Sequence, residues 1–244
     1  MNHKVTFFFR KPHSSGNYSL EYIYNDIKIR LDNKLDVNVF ISKYLNKGFF
    51  RRIYNLIEVI FYQGDINFIT GDIHYVSLFM NKKKTILNIL DCGFIYDSKG
   101  ILKWLNILLW LKIPLMRVSY VTTISNSTKL DIIKCTNFDP KKIFVIPVAI
   151  NSKFKYSKKK FNKIKPVLLQ IGQAENKNLK RIIKSICNMN VKLIIIGNVS
   201  EENLKNLKKN NVDYQNFVNI SNDEVIKKYI ESDMLIFPSL YEGF

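Results

Sequence analysis

The sequence predicts an α/β protein made of two parallel-sheet units. Two observations carry this prediction. Short uninterrupted apolar runs alternate with longer amphipathic stretches, and the alternation stops at 151–166 and then restarts. Strands covered on both faces read as continuous apolar runs, and parallel neighbours need a helix-length crossover between them. A length of 244 residues suits one large domain or two smaller ones.

Taken in order, VTFFFR (5–10) reads as a strand and YSLEYIYNDIKIRL, after Asn17, as a helix. VNVFIS (37–42) is a strand and FFRRIYNLIEVIFYQ (49–63) a helix. INFIT (66–70) is a strand, followed by the short segment DIHYVSLFM. TILNILD (85–91) precedes a helix bearing both tryptophans, and YVTTIS (120–125) is the next strand. STKLDIIKCTN is a helix and KIFVIPV (142–148) a strand.

NSKFKYSKKKFNKIKP (151–166) is polar, Lys-rich and closed by Pro166, the composition of a linker. Beyond it, VLLQIG (167–172) is a strand, NKNLKRIIKSICNM a helix, VKLIIIG (191–197) a strand and EENLKNLKKN a helix. YQNFVNI is a strand, NDEVIKKYIES a helix capped by Ser221 or Asn222, and MLIFPS the last strand. The expected organisation is a first domain over 1–150, a linker over 151–166 and a second domain over 167–244, with a ligand cleft between the domains.

A hydrophobic content of 47% excludes a disordered chain. The net charge of +18 would attract phosphates on nucleic acid, on a membrane or on a nucleotide. In a chain this rich in Lys, Asn and Ile, lysine can equally be the default surface residue. Cys92, Cys135 and Cys187 lack disulfide or metal spacing, and His3, His13 and His74 form no metal motif. The segment ILKWLNILLWLKIPLM (101–116) is shorter than the ~20 apolar residues a span needs. It suits an interfacial helix or a helix packed between domains. No signal peptide is evident, so a cytoplasmic location is expected, with the inner face of the membrane as the place it could dock.

Ligands of open parallel sheets gather at the carboxyl ends of strands, and four such ends carry unusual residues. RKPHSSGNYSLE (10–21) offers backbone N–H groups around Gly16 and Asn17, or is a plain loop. In TGDIHY (70–75), His74 could hydrogen-bond a substrate. The residues alone favour a helix start capped by Asp72, with His74 satisfied in the wall. In IGQAENKNLKR (171–181), Gly172 ends a strand and Lys177 falls near a helix start, a phosphate site or a solvated lysine. PSLYEGF places Glu242 beside Gly243, where a ligand could approach the backbone or where an exposed carboxylate simply lies.

In this order, the four sites resemble the GT-B nucleotide-sugar glycosyltransferases of family 4. SDMLIFPSLYEGF is similar to the family's most diagnostic stretch, which continues through Gly-Leu-Pro to a second glutamate. IGQAENKNLKRII resembles its donor-phosphate loop, and VTTISNSTKLDIIKCTNFDPKKIFVIPVAINSKF its run into the linker. GDINFITGDIHYVSL with KKTILNILDCG resembles the late part of its acceptor domain. The resemblance implies two Rossmann-like domains, the second incomplete, and a chain truncated inside the motif with little activity of its own.

It also implies retaining transfer from a nucleotide diphosphate sugar to a glycan or lipid-linked acceptor, with no cofactor and no catalytic metal, in surface polysaccharide synthesis. Glu242 would contact the donor sugar, with His74 and Asp91 near the acceptor and reacting carbon. Gly16, Asn17, Gly172, Gln173, Lys177, Asn178, Gly243 and Phe244 would bind the donor. Leu90 stands where many members carry histidine, and Gln173 near where some carry arginine. Two alternatives remain, a non-catalytic GT-B relative and a basic nucleic-acid-binding protein. The second expects a module of known pattern; none is present, and the densest basic cluster lies in the linker, so no nucleic-acid partner is expected.

Overall fold

Alternation within one strand organises the first unit. In β1 (Lys4–Phe9), Phe8 enters one core with Ile69, Leu87 and Leu111, while Val5, Phe7 and Phe9 enter a second core with Tyr24 and Val37. The strand is therefore buried on both faces, and each phenylalanine so removed from water contributes about 1.5–3 kcal/mol. The computed structural model describes residues 3–12, 19–31, 34–150, 153–172 and 174–243. They form two units, Met1–Ala149 with Glu242–Phe244, and Ile150–Tyr241.

In the first unit, α1 (Ser19–Leu31) lays Tyr24 against Phe9, ring centres 5.8 Å apart, and β2 (Asp36–Ile41) follows. α2 (Phe49–Glu58) tightens into a 3₁₀ turn over Val59–Tyr62, so the predicted helix 49–63 changes winding near its end. The buried Asn55 of α2 donates to the Tyr44 carbonyl and the Tyr75 hydroxyl, which ties the helix to its neighbours. β3 (Ile66–Ile69) begins after Gly64, where a Cβ would lie 2.7 Å from the Lys4 carbonyl and 2.9 Å from Thr6 Oγ1. β4 (Thr85–Ile89) leads to α3 (Phe94–Asp97), α4 (Gly100–Ile107), a π turn over Leu108–Lys112 and α5 (Ile113–Leu115). β5 (Tyr120–Thr123), α6 (Asn126–Cys135) and β6 (Ile143–Val145) complete the unit. The six strands are all parallel, in the order β2-β1-β3-β4-β5-β6.

The second unit opens with residues 153–165, which form no regular element. Asp233 holds this stretch down by accepting from the amides of Val167 and Asn162 and pairing with Lys159. β7 (Val167–Ile171), α7 (Leu179–Ser185), β8 (Lys192–Ile196), α8 (Glu201–Lys209), β9 (Asp213–Phe217), α9 (Asn222–Glu231) and β10 (Met234–Leu235) follow. The sheet is parallel, in the order β10-β7-β8-β9, over a core that includes Leu168, Ile183, Leu193 and Leu207. Ser221 caps α9 in a reciprocal box with Glu224.

Several expected elements are shorter here. The helix predicted over 176–189 runs only over Leu179–Ser185, because Asn178 takes a left-handed φ of 62° at its start and Asn188 one of 64° past its end. Asn211 and Asn219, after α8 and β9, take left-handed φ values too. The last strand pairs with β7 over Met234 and Leu235 alone, and residues 236–239 beyond it form no regular element.

Candidate functional site

Each sheet reverses its order of growth once. In the first unit the reversal lies between β1 and β3, and in the second between β7 and β10. Strand-end loops diverge at such points and leave a crevice for ligands. His74, Gly172, Lys177 and Asn178 fall at or beside these two places, whereas Asp91, Glu242 and Gly243 lie farther along the first sheet, at the ends of β4 and β5.

At the first switch point, Arg10 leaves the end of β1 and pairs with Asp72, which follows β3. Arg10 is buried while Asp72 is half exposed, so the pair spans from the wall to the crevice. Asp72 does not cap a helix as expected: Ile73 occupies the cap position, and Asp72 takes a φ of 53°. Its carboxylate goes to Arg10, and its carbonyl accepts from Asn46. Nearby, burial and then the Asp72 charge raise the Tyr24 hydroxyl, which donates to Asn88 Oδ1; Asn88 in turn donates to Thr122 Oγ1 at 2.8 Å. This chain of buried polar groups stiffens the ends of β4 and β5.

His74 opens the 3₁₀ turn His74–Phe79 and is 7% exposed. Its Nδ1 lies 2.9 Å from the Trp110 carbonyl. That carbonyl is available because Pro114, four residues on, has no N–H to offer it. A carbonyl only accepts, so Nδ1 carries a proton and Nε2 keeps its lone pair in the neutral ring. Burial lowers the His74 pKa, opposed by the Trp110 hydrogen bond and by the charges of Asp72 and Asp91. His74 is therefore satisfied in the wall and presents one acceptor nitrogen.

Asp91 follows β4 and is exposed, with Oδ1 accepting from the Gly93 amide at 2.8 Å. Gly243 packs against this turn. A Cβ there would meet the Leu90 carbonyl at 2.6 Å and Asp91 Cβ at 3.2 Å. The Ser125 and Thr128 hydroxyls both donate to the Gly243 carbonyl, and the half-buried Glu242 precedes it. Asp91, Glu242 and Gly243 thus converge on one corner of the first unit, at the ends of β4 and β5.

At the second switch point two loops are stitched together. The Leu240 amide donates to the Asn176 carbonyl at 2.9 Å, Asn176 Nδ2 to the Tyr241 carbonyl at 3.1 Å, and Asn178 Nδ2 to the Pro238 carbonyl at 3.2 Å. From beneath, the buried Gln170 donates to the carbonyls of Gly172 and Lys177, which braces both ends of the β7 loop. Lys177 does not sit on a helix, as the sequence suggested. It closes the 3₁₀ turn Glu175–Lys177, because the left-handed Asn178 separates that turn from α7. Its stem lies over Gly172, where a Cβ would be 3.3 Å from Lys177 Cγ and Cε, and its ammonium is 5.2 Å from the centre of the Phe237 ring.

Gly16, Asn17, Gln173 and Phe244 lie outside the described residues. Arg10, Gln170, Asn176, Ser125 and Thr128 were not singled out from sequence, although Arg10 and Asn176 stand inside the quoted loops. Among the described residues, no group of three or more His, Cys, Asp or Glu side chains could hold a metal ion.

Two parallel sheets with loops gathered at their switch points define a two-unit, Rossmann-like α/β protein of the GT-B type. Residues 151–244 match the family model of Glycosyl transferases group 1. The fold is similar to that of HepE from Anabaena, solved with UDP and glucose, at a TM-score of 0.71 and 12% identity; the alignment covers 98% of this chain and 74% of HepE. A UDP-N-acetylglucosamine 2-epimerase aligns at a TM-score of 0.60 and 10% identity, over 96% of this chain and 72% of that one. MnaA of S. aureus, solved with UDP, aligns at 0.52 and 10% identity, over 94% and 71%. No curated protein matches the chain in sequence.

Proposed function

We propose that this protein transfers a glycosyl group from a nucleotide diphosphate sugar to a glycan or lipid-linked glycan acceptor, with retention and without a catalytic metal, in the manner of glycosyltransferase family 4. Support comes chiefly from the match of residues 151–244 to group 1 glycosyl transferases, a region that contains the stitched loops around Lys177. HepE and MnaA were solved with UDP, which makes a uridine nucleotide the first donor class to try.

In this reading Lys177 faces the diphosphate. The leaving group gains negative charge as the glycosidic bond breaks, and a cation already held in place stabilises that charge without reorganising. Gly172 and Asn178 shape the loop that holds Lys177, with Gln173 beside them. Glu242 accepts hydrogen bonds from the donor sugar, and Gly243 and Phe244 contribute to donor binding in this reading. Gly16 and Asn17 contribute to donor binding as well. His74 Nε2 accepts from a sugar hydroxyl, and Asp91 serves the acceptor side. The enzyme works in the cytoplasm and supplies surface polysaccharide synthesis.

The test is nucleotide release from a panel of nucleotide diphosphate sugars, together with calorimetric titration of UDP. Lys177→Met is expected to weaken UDP binding roughly tenfold or more, the usual range for losing a charge-assisted hydrogen bond. Nucleotide release separates transfer from epimerisation, in which the sugar stays on the nucleotide. UDP affinity unchanged in Lys177→Met would remove the donor-site assignment. A chain that binds UDP but releases none from any donor would favour a non-catalytic relative.

A further inference from the structure

The outer face of α2 is apolar along its whole length. Arg52, Asn55, Leu56 and Val59 turn inward. Outward stand Phe49 (73% exposed), Phe50 (84%) and Phe61 (78%), with Ile53, Tyr54, Ile57 and Ile60 also exposed. Exposed hydrophobic residues scattered singly need no explanation, but a contiguous set on one helix face does. Cations border this set. Lys47 and Arg51 line a cavity of about 360 Å³ with Gly48, Phe49 and Phe50, and Lys43 lies against the rings of Tyr44 and Tyr54.

The tryptophan-bearing stretch carries a second exposed apolar set. The helical stretch formed by α4, the π turn and α5 exposes Ile101, Leu102, Trp104, Leu109 and, just past its end, Met116. Residues 99–117 hold Lys99, Lys103, Lys112 and Arg117 and no acidic residue. On the inward side of α2 the Arg52 guanidinium lies 5.1 Å from the centre of the Trp110 ring, which brings the two stretches close together. Among the described residues no helix is long and apolar enough to cross a membrane.

We infer that α2 and the neighbouring tryptophan-bearing helices form a docking surface for an anionic phospholipid bilayer. Phe49, Phe50 and Phe61 enter the acyl boundary, while Lys47, Arg51 and the basic residues of 99–117 meet headgroup phosphates. Exposed aromatic area beside a border in which Lys43, Lys47 and Arg51 outnumber Glu58 is what such an interface selects. A protein partner or a second copy has no stated need for that charge. The inference rests on the first unit alone and stands whether or not a sugar is transferred.

The experiment is co-sedimentation of the whole chain with vesicles of phosphatidylcholine, with and without phosphatidylglycerol, beside analytical ultracentrifugation without lipid. Binding is expected to require phosphatidylglycerol, to weaken with salt, and to shift Trp104 emission to the blue. The double variant Phe49→Ser with Phe50→Ser should lower partition at least about tenfold. Arg51→Glu should lower it several-fold on the anionic vesicles only. Both variants should melt like the parent, since the altered side chains are exposed. Phe61→Ser is a second route to the same loss. Binding indifferent to phosphatidylglycerol, or unchanged in the phenylalanine variants, overturns the inference. So does self-association that the double variant abolishes while vesicles bind nothing, because the face would then join two copies of the chain.

Discussion

His74 makes the first unit sensitive to acid, and the effect can be worked from its surroundings. The ring is buried, its Nδ1 hydrogen is engaged by the Trp110 carbonyl, and burial holds its pKa below the ordinary 6.5. In the unfolded chain the same imidazole takes up a proton as the pH falls through about 6.5. Between that value and the lower folded one, the unfolded state binds more protons, so stability falls as pH falls. One proton sets a ceiling of about 1.4 kcal/mol lost per pH unit in this window. His74→Phe removes the slope. It also leaves the Trp110 carbonyl without its donor, at a cost of about 1–3 kcal/mol at every pH. The assay is urea unfolding followed by tryptophan fluorescence between pH 8 and pH 5. Trp104 and Trp110 are the chain's only tryptophans and both lie in the first unit, so the signal reports that unit alone. Parallel loss of stability in the parent and in His74→Phe as pH falls would refute the reasoning.

Three further outcomes follow from the geometry. Gly172→Ala forces a side chain onto a φ of +85° and into the Lys177 stem, so UDP affinity should drop about fivefold or more by calorimetry while the tryptophan-detected melt of the first unit stays put. Ser221→Ala removes the α9 capping box, worth about 1 kcal/mol, and amide exchange along α9 should quicken about fivefold relative to α8. Burial, then the charges of Asp131 and Asp91, push the Cys92 thiol up to about 12, and the residue is 2% exposed. Iodoacetamide at pH 8 should therefore label Cys92 last among the three cysteines, as mapped by mass spectrometry.

The sheets were legible because their strands are continuous apolar runs with amphipathic crossovers between them. VTFFFR and VLLQIG each announce a strand buried on both faces, and both are central in their sheets. What escaped was set by single dihedrals and by distant partners. Nothing in NKNLKRII reveals that Asn178 turns left-handed and cuts Lys177 out of the helix. Asp72 read as a cap because Asp commonly caps helices, and only the fold brings it to Arg10, 62 residues earlier. Gln170 gave no signal at all: a glutamine inside VLLQIG reads as an interruption, and its partners Gly172 and Lys177 make it a brace. The outward face of α2 was hidden for the opposite reason. FFRRIYNLIEVIF is strongly amphipathic, with Arg51, Arg52, Asn55 and Glu58 on one face, and periodicity alone assigns the apolar face to the core, whereas here that face is turned outward and Asn55 is buried.

The left-handed asparagines bear on how such a sequence tolerates change. In a chain crowded with Asn and Lys, the two residues look exchangeable, as if drawn from one pool of polar filler. At Asn178, Asn188, Asn211 and Asn219 they are not. Asparagine tolerates the left-handed region better than most residues with a Cβ, and lysine there would cost on the order of 1 kcal/mol at each turn. Four letters of an apparently repetitive alphabet are thus fixed by backbone shape. Of the chain's nine glycines, Gly48, Gly71, Gly100, Gly172 and Gly197 also take a positive φ, while Gly64 and Gly243 occupy crowded seats where no side chain fits. Compositional drift toward lysine would be silent over most of this surface and would be arrested at those four turns.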